Sequence, residues 1–346
     1  MMYSCSPDQK KIFDNLHLLQ ISKMAEEQHK DVLLVNKSGG CSPCDMFELM
    51  LFRNEALQKA VTDKYLVVYI DHSIAGNEWL ARILNSGATP GFIFTDAAMK
   101  LKGIYFGQMP EERLRQILAT LEKKGAFAAD RFDVIEHQRI PDEQTRVFVQ
   151  GSLTAQLQLE TFGKSHDSAD LKDIAPLLKS SIAVMPTFYN NFLLAQYYKQ
   201  RNDTVQASLA AKKALAVDDK ISDILNLALK KHAHHIVNNN YDEQNEAIMD
   251  PGAEQRFQKP IALNKKDSVI ITFVNTGKKP LKVENIVSDC TCTVGEFTKV
   301  AVPPGEKGTI KVVVSGVSAG SFKRMMRVYS NAVNSPTPFY INGQVN

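Results

Sequence analysis

The sequence predicts a multidomain protein in which an α/β domain, an all-α segment and an all-β sandwich follow one another. Short apolar runs alternate with amphipathic segments over residues 10–125, the pattern of strands joined by helices. Small and apolar residues then recur at helical spacing, and after residue 255 short strand-like runs alternate with turn signals. The predicted division is 1–125 for the α/β domain, 126–240 for the helical segment, 241–254 for a linker and 255–346 for the sandwich.

Length and composition set the class of protein before any motif is considered. A chain of 346 residues suggests two or three domains. Its 44% hydrophobic and 23% charged residues are those of a soluble globular protein. The net charge of +3 gives no reason to expect a nucleic-acid partner. No run of 18 apolar residues is present, so the sequence predicts no membrane-spanning helix.

Two cysteines, Cys41 and Cys44, stand two residues apart between an apolar run at 32–35 and a helix-like stretch at 46–52. A cysteine at the start of a helix lies near unpaired backbone N–H groups, which favour its thiolate. The thiolate is the form that attacks a disulfide. The arrangement predicts a redox-active dithiol that needs no cofactor, because the sulfurs themselves carry the electrons.

Spacing alone leaves two other interpretations of this pair open. A structural zinc site uses four ligands, usually two such pairs. The other cysteines are Cys5, Cys290 and Cys292, and His72 has no ligand spacing, so we predict no metal. A purely structural disulfide is the second alternative.

The residues around the dithiol favour redox chemistry. A buried strand is predicted at 65–71 and a helix at 75–84, and Thr89-Pro90 opens the next strand. A hairpin strand at 101–107 and a helix at 110–124 follow. With these features, residues 10–125 resemble the thioredoxin superfamily.

The resemblance implies roles for four residues. Cys41 would attack the substrate disulfide and Cys44 would resolve the mixed disulfide. The Thr89–Pro90 bond would be cis, with Pro90 shaping the substrate groove and keeping metal from the dithiol. Thr89 would form hydrogen bonds with the substrate backbone.

The chain also departs from thioredoxin itself. Gly40 precedes the first cysteine where thioredoxin has tryptophan, and the run at 32–35 carries no buried aspartate. Proton transfer at Cys44 must then use water or another group. The first helix is predicted to be long, over residues 8–28.

Helices are predicted in the middle segment at 171–182, 186–199, 204–216 and 221–232, after a mixed connection at 126–160. The pair at 186–216 resembles one tetratricopeptide-type repeat, which implies a peptide-binding groove. Such repeats normally stack in sets of three or more. The short array therefore favours a helical spacer, although both interpretations stay open.

Strands are predicted in the C-terminal segment at 268–275, 281–287, 308–314, 322–330 and 338–342. The elements Asn275-Thr276-Gly277, Cys290-Thr291-Cys292-Thr293 and Pro304-Gly305-Glu306 resemble a bacterial Ig-like family of uncharacterised role. This resemblance implies a fold and no activity.

Cys290 and Cys292 have three interpretations: a redox pair, a soft-metal site for Cu(I), or two thiols at the end of a strand. A disulfide across one residue would have poor geometry and be easily reduced. Bacterial thiol–disulfide reductases that join a thioredoxin-like to an Ig-like domain relay electrons between them. That similarity of architecture implies a relay from Cys41 and Cys44.

The start of the sequence has neither the charged nor the apolar region of a complete signal peptide. Ser4-Cys5-Ser6 would fit the end of a bacterial lipoprotein signal. Cys5 is then a lipid anchor in the cell envelope or periplasm if a signal precedes the given start. Otherwise it is an ordinary exposed cysteine and the protein is cytoplasmic.

The sequence thus predicts a thiol–disulfide oxidoreductase acting on protein disulfides in the bacterial cell envelope. The competing hypothesis is a non-catalytic scaffold, in which the thioredoxin-like domain is an adaptor. Partner proteins would then bind the helical and Ig-like domains.

Overall fold

The computed structural model of the protein describes residues 12–129, 140–217, 223–288, 293–297 and 299–346. Contacts between residues divide the chain into two units, Met1–Asn226 and Leu227–Asn346. An α/β part, a helical region and all-β sheets follow in that order, so the predicted multidomain fold class is confirmed. The boundaries at residues 125, 240 and 254 stay predictions.

The first unit is built on a five-stranded sheet in the order β1-β3-β2-β4-β5. Strands β1 and β2 run parallel to β3, whereas β4 is antiparallel to β2 and β5 is antiparallel to β4. The strands are β1 (Ile12–Asp14), β2 (Asp31–Lys37), β3 (Tyr65–Asp71), β4 (Gly91–Thr95) and β5 (Leu101–Phe106). Helices lie between them: α1 (Leu18–Gln28), α2 (Ser42–Arg53), α3 (Glu55–Lys64), α4 (Trp79–Leu84) and, after β5, α5 (Glu111–Lys124).

The core of this unit explains why its central strands are apolar throughout. Residues 32–35 are fully buried, because helices cover both faces of the sheet. Side chains of α2, α3 and α5 pack on one face, where Leu33 and Val35 of β2 meet Phe47 of α2. The opposite face packs against α1. The sheet thus fixes the end of β2 from which the dithiol segment leaves.

The predicted helix over residues 8–28 is wrong in its described first part. Residues Ile12–Asp14 form β1, which pairs with β3 at the edge of the sheet. Asn15 then has a positive φ of 54°, which ends the strand, and α1 begins only at Leu18. Pairing with a buried strand outweighs the helical pattern of this short segment. Residues 8–11 lie outside the described part.

A helix in the first unit has no counterpart among the predicted elements. Helix α2 ends at Arg53, and α3 begins two residues later at Glu55. Asn54 stands between them, and its Oδ1 accepts a hydrogen bond from Leu57 N at 3.0 Å. This cap satisfies a donor of the first turn of α3 and starts the new helix.

The middle of the chain is helical, as predicted, but the mixed connection at 126–160 is wrong. Much of it is the 24-residue helix α6 (Asp142–Ser165). The helices that follow are α7 (Ile174–Val184), α8 (Phe188–Gln200), α9 (Thr204–Leu215) and α10 (Asp223–Val237). Within the described ranges, each helix is too short or too polar to cross a lipid bilayer.

Helix α6 is bound to β5, the last strand of the first sheet. Gln150 Oε1 accepts a hydrogen bond from Leu101 N at 2.6 Å, and Arg146 Nη1 donates to Leu101 O at 3.1 Å. Arg146 Nη2 also donates to Phe127 O at 2.5 Å and to Lys102 O at 3.3 Å. Side chains of the helix therefore satisfy backbone groups of this edge strand.

The second unit contains two four-stranded sheets in the orders β10-β11-β8-β6 and β7-β13-β12-β9. Apolar side chains of both sheets, including Phe273, Val312, Met326 and Ile341, share one core. The strands are β6 (Met249–Asp250), β7 (Gln255–Arg256), β8 (Lys266–Asn275), β9 (Val283–Ser288), β10 (Thr293–Phe297), β11 (Lys307–Ser315), β12 (Gly320–Ser330) and β13 (Thr337–Val345). The all-β prediction is confirmed, and the Ig-like assignment stays a prediction.

Candidate active site

The two cysteines of the predicted dithiol lie at the start of α2. Cys41 is the residue that precedes the first helical residue, and Cys44 is in the first turn. The two form a disulfide, with their Cα atoms 5.3 Å apart. Gly40, at a φ of +74°, makes the turn from β2 into the helix, a conformation that glycine adopts without strain.

Backbone groups of the helix start are directed at Cys41. Cys44 N donates to Cys41 Sγ at 3.2 Å. The N–H groups of Cys44 and Asp45 also donate to Cys41 O, at 3.0 and 3.1 Å. After reduction of the disulfide, an N–H directed at Sγ and the positive end of the helix dipole both favour a thiolate at Cys41.

The two sulfur-bearing residues differ in exposure. Cys41 is 8% exposed, whereas Cys44 is 1% exposed. An incoming disulfide therefore reaches Cys41 first, and Cys44 attacks from the protein side. The geometry fits the roles that the sequence predicts for the pair.

The loop before β4 lies beside the dithiol segment. Its Thr89–Pro90 peptide bond is cis, as the family resemblance implies. Thr89 Oγ1 lies 3.2 Å from Ser38 Oγ, three residues before Cys41. Pro90 is buried, and its carbonyl oxygen accepts a hydrogen bond from Gly107 N at 2.9 Å. The structure therefore brings Thr89 next to the segment that carries Cys41.

The backbone of Thr89 has unused hydrogen-bonding groups. Its N–H and C=O have no partner within the described ranges of the chain. The side chain of Thr89 is only partly buried. An extended peptide that lies along this loop could therefore pair with the Thr89 backbone as a strand does.

Two polar residues beside the dithiol segment, Asn36 and His72, have no role in the site predicted from the sequence. Asn36, the fully buried sixth residue of β2, donates from Nδ2 to Ala88 O at 3.2 Å. Its Oδ1 lies 3.0 Å from His72 Nδ1. Burial lowers the pKa of His72, against the opposing effect of the Asp71 and Glu78 carboxylates. The sequence alone suggests His72 only as a zinc ligand without the required spacing.

A signal for these two residues is nevertheless present in the sequence. Asn36 is an amide that ends an apolar run, and His72 follows the last residue of the next strand. Strands β2 and β3 are parallel, so their carboxyl ends meet at one edge of the sheet. Polar residues at that edge are candidates for a site in an α/β fold.

The loop that leads to Cys41 is held by the end of β3. Gly39 N donates to Ser73 Oγ at 3.0 Å. Ser73 Oγ in turn donates to Asp71 Oδ1 at 2.5 Å. The carboxylate of Asp71 thus orients the Ser73 hydroxyl, which accepts the hydrogen bond from Gly39 N.

Strand β2 carries no acid beneath the dithiol. Val35 is fully buried near its end, and the one carboxylate of the strand, Asp31, lies at the other end in an ion pair with Lys102 Nζ at 2.6 Å. Lys37 pairs with Glu48 of α2 at 3.7 Å. This agrees with the expectation that a proton at Cys44 goes to water or to a group outside β2.

Metal ligation gains no support from the arrangement of side chains. Both sulfurs of the pair are joined to each other. In the part of the chain that the structure describes, no group of three or more His, Cys, Asp or Glu side chains could hold a metal ion. Cys5, Cys290 and Cys292 lie outside the described residues, so the predictions on them are not tested.

Two family models match the chain. A model described as a thioredoxin-like domain matches residues 20–122. A second, described as a protein of unknown function (DUF1573), matches residues 253–345. The N-terminal part of the chain is therefore a thioredoxin-like domain, and the predicted resemblance is confirmed there. A comparison with curated proteins gave no match.

Solved structures similar to parts of the chain include two thioredoxins. The Thermus thermophilus thioredoxin is 18% identical, with a TM-score of 0.30, and the match covers 33% of this chain and 90% of that one. Oxidised thioredoxin O2 from Arabidopsis thaliana is 16% identical, with a TM-score of 0.27 and coverages of 33% and 96%. A protein of unknown function from Porphyromonas gingivalis W83 is 12% identical, with a TM-score of 0.26 over 31% of this chain. The match spans 50% of the length of that protein.

Proposed function

We propose that the protein is a thiol–disulfide oxidoreductase that exchanges disulfides with other proteins through Cys41 and Cys44. The observation that carries this proposal is the disulfide at the start of α2, in which Cys41 is the more exposed partner. The thioredoxin-like domain over residues 20–122 supports the same chemistry. The unused backbone groups of Thr89 offer a place for the substrate chain.

The reaction of the reduced protein consists of two exchanges. The Cys41 thiolate attacks one sulfur of the substrate disulfide. The S–S bond of the substrate breaks, a mixed disulfide with Cys41 forms, and the other substrate sulfur leaves as a thiolate. Cys44 loses its proton to water and attacks Cys41 Sγ. The second substrate sulfur then leaves, and the Cys41–Cys44 disulfide remains.

Two electrons pass from the protein to the substrate in this sequence. The same steps in reverse oxidise a substrate dithiol. The reduction potential of the pair against that of the compartment decides the direction.

The substrate backbone would lie along the Thr89–Pro90 loop during both exchanges. Thr89 would pair with it through its free N–H and C=O. Pro90 would shape the floor of the groove and keep metal ions away from the two thiols. These roles are carried over from the family resemblance onto the matching residues.

The decisive experiment is the reduction potential of the Cys41–Cys44 pair. The full chain is equilibrated in graded glutathione buffers and quenched with a mass-shifting alkylator, and the modified cysteines are mapped. We expect a reversible two-electron transition at Cys41 and Cys44, within roughly −120 to −270 mV, the range of known oxidoreductases. The Cys41→Ser, Cys44→Ser double variant is the control and loses both the transition and turnover of a protein disulfide.

A pair that stays oxidised in all buffers would contradict the proposal. The non-catalytic scaffold, with partner proteins on the helical and all-β parts, would then be the better hypothesis. That hypothesis requires the double variant to keep partner binding.

Transfer of electrons from Cys41 and Cys44 to Cys290 and Cys292 is a further part of the proposal. The Cys41 thiolate would attack a Cys290–Cys292 disulfide and reduce it by the same exchange. Support comes only from the order of domains, since both residues lie outside the described part. The relay predicts a linked redox change at Cys290 and Cys292 that follows reduction of Cys41 and Cys44 in time and is slowed in Cys41→Ser.

A location in the cell envelope or periplasm is proposed from the residues around Cys5 alone. If a signal sequence precedes Met1, Cys5 would carry a lipid anchor. Fractionation of cells that express the gene with its upstream region tests this location. We expect the protein with the membranes and the Cys5→Ala variant outside them; an unchanged distribution would contradict the anchor.

A further inference from the structure

Asn36 is a polar residue in the buried strand β2, where the neighbouring residues are apolar. It is fully buried, with 0% solvent exposure, next to the apolar residues 32–35 of β2. Burying an amide without hydrogen bonds is unfavourable, because its polar groups lose their contacts with water. Both ends of the Asn36 amide are bonded, to Ala88 O and to His72 Nδ1. The residue thus connects three segments at the end of the sheet that carries the dithiol.

The partners fix which way this amide points. Ala88 O can only accept, so the NH₂ group of Asn36 faces it and Oδ1 faces His72. Nδ1 of His72 must therefore carry the hydrogen that Oδ1 accepts. His72 in this way holds the amide in the one orientation that donates to Ala88.

The carbonyl of Ala88 belongs to the same peptide unit as the N–H of Thr89. The cis bonds in the described chain are Thr89–Pro90 and Ser335–Pro336, so the Ala88–Thr89 unit is trans and planar. In such a unit the C=O and N–H point in opposite directions. The bond from Asn36 to Ala88 O therefore also sets the direction of the Thr89 N–H, which has no acceptor among the described residues.

We propose that Asn36, oriented by His72, is a positioning residue that holds the Thr89 backbone ready to bind the main chain of a protein substrate. This inference rests on the proposed function and deepens it. It assigns the specificity for a polypeptide, rather than for any disulfide, to a residue that does not touch the sulfurs. The dithiol itself keeps its chemistry when Asn36 is changed.

The test compares two disulfides on the full chain carrying Asn36→Leu, which removes both bonds at similar volume. Insulin presents a main chain that can pair with Thr89, whereas 5,5′-dithiobis(2-nitrobenzoic acid) has none. We expect kcat/KM for insulin to fall roughly tenfold, the effect of one lost hydrogen bond, mainly through KM. The rate with the small disulfide should stay within about twofold of the wild-type rate, a smaller change than the loss of one hydrogen bond gives. The reduction potential should stay the same, because Asn36 has no bond to either sulfur.

A matched pair at His72 provides the second measurement. His72→Gln keeps an N–H donor for Asn36 Oδ1, whereas His72→Leu removes it. The leucine variant should reproduce the loss with insulin, and the glutamine variant should retain most of the activity. If Asn36→Leu fails to fold, this pair decides the question alone.

Three outcomes would overturn the inference. Equal losses with both disulfides would place the effect on the dithiol instead of the groove. No loss with insulin in an active protein would refute the inference and leave the proposed function standing. A wild-type protein that reduces neither disulfide would refute both.

Discussion

Cys41 and Cys44 differ in exposure although a single helical turn separates them. The difference predicts which variant traps a substrate. Cys44→Ser keeps the attacking thiolate and removes the resolving one, so a mixed disulfide between Cys41 and the substrate should accumulate. Non-reducing gel electrophoresis of the variant with an unfolded, oxidised protein measures this adduct. Cys41→Ser is the matched control, and an equal adduct there would contradict the assignment of roles.

His72 makes the stability of the first unit depend on pH. Burial lowers its pKa in the folded state, so between that lowered value and the ordinary value of about 6.5 the unfolded chain binds more protons. The free energy of unfolding therefore falls as the pH is lowered through about 6.5. Urea unfolding at several pH values should show a smaller fall in His72→Gln than in the wild type. An identical pH dependence in both proteins would contradict this cause.

Residue-level prediction from the sequence succeeds where the signal is local. Cys41 and Cys44 lie within one helical turn, and Pro90 directly precedes a strand-like pattern. The bonds of Asn36 instead join residues 52 and 36 positions away. A sequence does not show such distant partners until the order of the strands is known.

Helix α2 has one buried and one exposed aromatic residue. Phe47 is 1% exposed and packs against Phe92 of β4 with ring centroids 4.7 Å apart, whereas Phe52 is 76% exposed. Phe47→Ala should lower the free energy of unfolding by about 3–5 kcal/mol. Phe52→Ala should change it by no more than about 0.5 kcal/mol. Urea denaturation of the two variants measures the difference, and equal effects would show that α2 is not packed as described.

Two glycines on helix α6 should respond in opposite ways to alanine. A methyl group on Gly151 would lie 2.8 Å from Leu177 O of α7, whereas Gly163 has no atom within 4 Å of that position. Gly151→Ala should destabilise the first unit by about 1–3 kcal/mol because the helices must separate. Gly163→Ala should stabilise it by up to about 1 kcal/mol through helix propensity. Thermal unfolding gives both signs, and stabilisation by both changes would rule out the close contact of α6 and α7.

The close contact of Gly151 with α7 explains why the sequence did not predict α6. Glycine within a helix is unfavourable on propensity alone, so the sequence around Gly151 favours a connection. Close packing on α7 makes glycine the residue that fits. Strand β1 was missed for a related reason, since its pairing with β3 is invisible in a pattern of three residues.

The division of the whole molecule into two units predicts two separable unfolding events. Leu33 lies in the core of the first unit and Ile341 in the core of the second, and both are fully buried. Each change to alanine should cost about 2–5 kcal/mol within its own unit. Hydrogen-exchange mass spectrometry should show faster exchange only in residues 12–226 for Leu33→Ala and only in residues 227–346 for Ile341→Ala. Faster exchange across both units would mean that they unfold together.

At this scale the sequence predicts the kinds of fold and their order, because each part has its own period of apolar residues. The relation of the helical segment to the α/β domain is different. It depends on polar side chains such as Arg146 and Gln150, whose targets are backbone atoms of β5. Such contacts leave no periodic mark in the sequence.

The hydrogen bonds from α6 to the backbone of β5 also protect the protein against aggregation. An outermost strand with free backbone groups is a template for a strand of another copy, and proteins commonly cover or charge such strands. Arg146 and Gln150 occupy the backbone groups of Leu101. A fragment that ends at residue 125 lacks α6, so these backbone groups of β5 would be exposed and could pair with another copy. The smallest fragment that carries the dithiol and stays monomeric should therefore include α6.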